Sequence, residues 1–243
     1  MILYRHQYKN QGGFTLVELA LVMIIIGLLI GGILKGQELI ANSQITATIS
    51  QVQAINASVS TFRGKYKSFP GDLPDPTVRL RDCNAAPCND GGDGNGRIDT
   101  PALGDAPTLT SEGVIAFAHI GAADLLSGID ITGSQLAMGS ALPEARIGGG
   151  FWLGHTADGS AVGGLTGLKP GHYMILNGVV GAVGGVNGGI TTTQAAQVDR
   201  KLDDGSPLNG DVQAVGAGCV NATDDYEEAL QATSCSLYIR VQG

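Results

Sequence analysis

Residues Phe14 to Leu34 read FTLVELALVMIIIGLLIGGIL, with Glu18 as the single charge. As a helix this run spans about 31 Å, close to the ~30 Å hydrocarbon core of a bilayer. Arg5 and Lys9 precede it, and residues 1–13 hold no acid. The positive-inside bias then keeps residues 1–13 in the cytoplasm and places the rest beyond the inner membrane. Without Arg5 and Lys9 the net charge moves from −8 to −10. An acidic remainder speaks against a direct grip on a nucleic-acid backbone.

Two ordinary explanations of the run fall short. A secretory signal peptide has an apolar core of about 7–15 residues followed by a small-x-small cleavage site. This run is longer, and GGILKGQELI offers a poor site. A plain single-pass anchor accounts for the length but not for Glu18, because a carboxylate inside a membrane helix costs roughly 2.5–3.5 kcal/mol on insertion scales.

The string Gly13-Phe14-Thr15-Leu16-Val17-Glu18, after a short basic leader and before an unbroken apolar run, closely resembles the cleavage and methylation signal of type IV prepilins and pseudopilins. The resemblance implies that a membrane prepilin peptidase cuts between Gly13 and Phe14 and methylates the new N-terminus. Glu18 then becomes the fifth residue of the mature chain, where that family has its glutamate. Cleavage creates an amine at Phe14 with a reference pKa of about 7.7–8.0, cationic at neutral pH. In a low-dielectric setting the Glu18 carboxylate needs such a partner, and the amine of a neighbouring copy can supply it. On this reading a subunit without a neighbour carries an unpaired charge, and the pair sets register during assembly.

The helix is expected to continue beyond Lys35. Ile45, Ile49, Val52, Ile55, Val59, Phe62 and Tyr66 recur in steps of three and four, one helical stripe. The predicted helix runs from Phe14 to about Arg63, roughly 75 Å, with Gly64 as its stop. Many relatives in the resembled family carry a proline about twenty residues into the mature chain. Here Gly27, Gly31, Gly32 and Gly36 occupy that stretch, each costing about 1 kcal/mol of helix propensity against alanine. Local melting of residues 27–36 is therefore expected in an assembled fibre.

Residues 64–243 are long enough to bury a core. They hold all four cysteines, Cys83, Cys88, Cys219 and Cys235, an even count that fits disulfides in an exported segment. Three pairings can be drawn, and proximity favours Cys83–Cys88 with Cys219–Cys235. The second pair resembles the disulfide-bounded loop of type IV pilins. The stretch from Asn89 to Asp99 alternates short oxygen side chains with glycine, as a loop curling round a hard cation does. An EF-hand register fails, because Gly91 falls at position one and Ala102 at position twelve. A looser calcium loop would draw on Asp90, Asp93, Asn95, the Arg97 carbonyl and Glu112; calcium-stabilised loops occur in pseudopilins.

Phe69-Pro70-Gly71-Asp72 reads as a tight turn, Glu112 opens a helical stretch to about Leu126, and Gln194–Leu202 reads as a helix capped by Thr193. Strands are expected near Phe151–Leu153, His172–Leu176, Val179–Val183 and Val212–Val215. A last, half-buried one has Leu237, Ile239 and Val241 alternating with Tyr238 and Arg240. The fold class expected is α+β, a pilin-like long N-terminal helix against an antiparallel sheet. No G-x-S-x-G, H-E-x-x-H or Walker sequence occurs, so no enzymatic activity is expected; an exported hydrolase using His119, His155 or His172 is the remote alternative.

The resulting organisation is a cytoplasmic leader over 1–13, a transmembrane and assembly helix over 14–34, an amphipathic continuation over 35–63, and an exported head over 64–243. The head would sit in the periplasm or on a surface fibre, either a type IV pilus or a type II secretion pseudopilus. The expected partners are the peptidase, other pilin-type subunits and the inner membrane, and the only cofactor expected is a structural calcium. A membrane-tethered binding domain that never polymerises is the rival arrangement.

Overall fold

The computed structural model describes residues 13–159, 165, 167–180, 188–230 and 233–241. Arg5, Lys9 and positions 181–183 of the strand expected at Val179–Val183 lie outside the described residues, while Val179 and Val180 follow the second strand as a turn. The chain divides into two compact units, Met1–Ser43 and Gln44–Gly243.

Helix α1 covers Leu16–Tyr66 and contributes residues to both units. In the first unit its apolar side chains face outward all round, with Leu16 90% and Leu28 75% exposed. The helix is continuous through Gly27, Gly31, Gly32 and Gly36; the melting expected there concerns the assembled fibre. In the second unit Ile45, Val52, Ile55, Val59 and Phe62 are buried, the stripe expected from their spacing, while Ile49 is partly buried. Gly64 does not stop the helix. It ends after Tyr66, where Lys67 takes a left-handed conformation, φ +59°, and donates its N–H to Arg63 O at 2.9 Å. That closing geometry normally favours glycine, which is why the sequence pointed to the wrong residue.

Among the described residues three further helices follow: α2 Pro76–Arg79, α3 Glu112–Ala122 and α4 Thr192–Leu202. Helix α3 stops four residues short of the expected Leu126. Helix α4 is capped by Thr191, not Thr193. The Thr191 side chain accepts from Gln194 N–H, and the Gln194 side chain accepts from Thr191 N–H. Three consecutive threonines compete for the position, and the one with glutamine three residues on wins.

The strands are β1 Gly150–Thr156, β2 Gly171–Asn177, β3 Val212–Val215 and β4 Ser236–Arg240. They form one antiparallel sheet in the order β1-β2-β4-β3. The register puts Phe151, Leu176, Leu237 and Ala214 in one row across a face, and Trp152, Ile175, Tyr238 and Gln213 in the next row on the opposite face. All eight are buried. Residues of both faces belong to one core that includes Ile45, Val52, Ile55 and Val59 of α1. On the second face, a Cβ at Gly154 would lie 3.2 Å from Leu103, and one at Gly150 would lie 2.7 Å from Met138, so irregular chain covers it closely. This corrects the half-buried reading of β4: its Tyr238 is as buried as its Leu237 because β4 is an inner strand covered on both faces.

Candidate functional site

Gly13, Phe14 and Thr15 precede the helix in irregular backbone, and Phe14 is 84% exposed. Thr15 is the cap. Its carbonyl accepts the first helical bond from Leu19 N–H at 3.2 Å, and its hydroxyl accepts from Glu18 N–H at 3.2 Å. Glu18 Oε2 in turn accepts from the Thr15 N–H at 2.8 Å and the Thr15 hydroxyl at 2.9 Å. Thr15 and Glu18 thus close a reciprocal capping box. The sequence contains that signal, T-x-x-E, but the expected pairing between subunits offers another role for the same glutamate and hides it. Within one chain the Glu18 carboxylate is held by two uncharged donors of its own helix start, which hydrogen-bond it without neutralising its charge.

Comparison with known proteins bears on this segment. Residues 8–34 match the family model described as the prokaryotic N-terminal methylation motif. The chain carries the prepilin-type cleavage and methylation signal. No curated protein and no solved structure matches the chain. The motif spans the expected cleavage point, Gly13 and Phe14, together with the Thr15–Glu18 box, and runs into the apolar part of α1. Among the described residues α1 is the one helix long and apolar enough to cross a membrane.

The second unit is tied together by disulfides and buried polar groups. Disulfides join Cys83 to Cys88 and Cys219 to Cys235, with Cα atoms 5.1 and 5.3 Å apart. The glycine-rich loop folds onto Asp72, which the sequence offers only as part of a turn. Asp72 is fully buried, and its two carboxylate oxygens accept Asn95 N–H at 3.0 Å and Gly96 N–H at 2.9 Å. Glu112, at the start of α3, accepts Asp99 N–H at 2.9 Å. A Cβ at Gly92 would come within 2.4 Å of Asp72 Cα and 2.7 Å of Glu112 Oε1, so only glycine lets the loop pass between these two acids.

Carboxylate oxygens of Asp72, Asp93 and Glu112 all lie within 4.8 Å of one another. Of the residues expected round a cation, the structure therefore brings Asp93 and Glu112 together with Asp72, while Asp90 is not in that group. The Asn95 side chain is engaged by Asp93, Asp99 and the Arg97 N–H. Burial pushes both the Asp72 and the Glu112 carboxyl above the usual range, only partly opposed by the loop amides they accept. Asp72 was missed because its partners lie over twenty residues on, beyond any local pattern.

His119 and His172 have structural settings. His119, fully buried on α3, accepts Gly71 N–H at Nδ1, 3.0 Å, and with Nε2 3.0 Å from Cys88 O it donates there. These two partners fix the neutral Nε2–H tautomer, and burial holds its pKa down at about 4. His172 accepts Ile98 N–H at 3.2 Å and stands between Phe69 and His155, with ring centroids 4.1 and 4.8 Å away. Burial first, then the neighbouring His155, holds its pKa down to about 4. His155 is half-buried.

Proposed function

We propose that this protein is a prepilin-type structural subunit. It is cut between Gly13 and Phe14 by a membrane prepilin peptidase and N-methylated on Phe14. Through its apolar helix it is then built into a type IV pilus or a type II secretion pseudopilus. The methylation motif at residues 8–34 carries the reading. The exposed apolar surface of α1 in the first unit supports it, because such a surface has to be covered by lipid or by neighbouring copies. On this reading residues 14–34 span the inner membrane before assembly, the leader faces the cytoplasm, and the disulfide-bonded head matures in an oxidising compartment. The work is mechanical, with no catalytic step.

N-terminal mass analysis of the mature protein tests the processing. The expected first residue is N-methyl-Phe14; an intact Met1, or a cut beyond residue 34, would overturn the proposal.

The same reading includes a structural divalent cation of the calcium class in the head, held by Asp72, Asp93 and Glu112. Three hard oxygen donors converge there, two of them buried, and a cation would offset their mutual repulsion. Calcium at about a hundred times its Kd should stabilise the head by about 2.7 kcal/mol, raising Tm by roughly 5–11 °C. Chelation should reverse the shift, and Asp93→Ala should remove the response. A Tm indifferent to both calcium and chelator refutes the cation.

A further inference from the structure

The capping box bears on how the leader is removed, and this inference rests on the processing reading above. A peptide bond within a helix has its N–H and C=O committed to partners four residues away. In this protein the bond between Gly13 and Phe14 stands two residues before the first helical residue, Leu16. Thr15 stops the helix there. An N-cap residue keeps non-helical backbone angles while its side chain satisfies a first-turn amide, and Thr15 does this with Glu18 as its reciprocal partner.

We infer that Thr15 is the positioning residue for leader cleavage: with Glu18 it fixes the helix start, so the scissile bond meets the peptidase in open backbone at a constant distance from rigid helix. The reaction served is amide hydrolysis. Water adds to the Gly13 carbonyl carbon and the C–N bond to Phe14 breaks. Gly13 leaves as a carboxylate, and the Phe14 nitrogen takes up the proton as an amine. Thr15 takes no part in these bond changes. Without its hydroxyl the first turn frays, and the bond is presented in many registers.

The experiment uses the purified full-length precursor in detergent micelles with a purified prepilin peptidase, so cleavage is read independently of export. Thr15→Val keeps the shape and removes only the hydroxyl. Losing an N-cap weakens the helix start by roughly 2–30-fold, and kcat/KM for cleavage should fall within that range. Thr15→Ser and Thr15→Asn, both good caps, should restore the wild-type rate. Glu18→Gln, which still completes a capping box, should stay within about twofold of it. Cleavage of Thr15→Val at the wild-type rate, or failure of Ser and Asn to rescue, overturns the inference while leaving the processing reading intact. A wild-type precursor that is not cut after Gly13 overturns both.

Discussion

Glu18→Ala is expected to abolish fibres while leaving the protein membrane-inserted. In an assembled subunit the Glu18 carboxylate would face the Phe14 amine of a neighbouring copy, between greasy helices. Removing one member of a buried pair strands the other charge at a cost of about 3–5 kcal/mol. That weakens each subunit contact by roughly 10²–10⁴-fold, and a polymer multiplies the deficit at every step. Glu18→Gln separates the residue's two roles. It retains the local box with Thr15 but lacks the charge, so it too should lose fibres while its leader is still removed. The measurement is electron microscopy of sheared surface material beside a membrane fractionation. Normal fibres from either variant would refute the pairing of Glu18 with a neighbour's amine, and a wild-type chain absent from fibres would favour the rival, a tethered domain that does not polymerise.

His119→Ala is expected to destabilise the head strongly. The imidazole bridges two segments far apart in sequence: Gly71 N–H on the turn after α1, and Cys88 O beside the first disulfide. Alanine leaves that donor and that acceptor buried without partners, at about 1–3 kcal/mol each, and opens a cavity as well. A loss of about 3–5 kcal/mol follows, lowering Tm by roughly 6–20 °C. His119→Phe fills the volume but not the hydrogen bonds and should recover only the cavity part.

Acid should act on the same residue. The pKa of His119 is depressed in the folded state, so the unfolded chain binds more protons between about 4 and 6.5. Its contribution is therefore whole above 6.5 and lost as pH falls through that window. Asp199 works in the opposite direction. Burial raises its carboxyl to about 6, so its charged form costs stability above that pH and protonation recovers it. A pH–Tm profile of His119→Ala should be flatter than wild type between 4 and 6.5; an identical slope would show that the imidazole is not the acid-sensitive group.

Some of this protein is written in the chain itself. The apolar run, the glycine–phenylalanine junction and the glutamate five residues on are local patterns, and local patterns suffice where a segment's covering comes from outside the chain. The stripe from Ile45 to Phe62, the four strands near their observed positions and the two disulfide pairs were also legible, because helical spacing and short loop closures are properties of neighbouring residues. The capping boxes at Thr15 and Thr191 are present in the sequence too, as T-x-x-E and T-x-x-Q, where other patterns mask them.

The rest needed the folded head. Nothing near Asp72 announces that it anchors a loop over twenty residues later, or that His119 joins the turn to the disulfide loop. Nor could alternation in β4 show that both its faces are covered. Those pairings arise when burial removes water and each buried polar group has to find a partner wherever the packed chain brings one. Sequence distance carries no information about that meeting, so tertiary structure alone decided it.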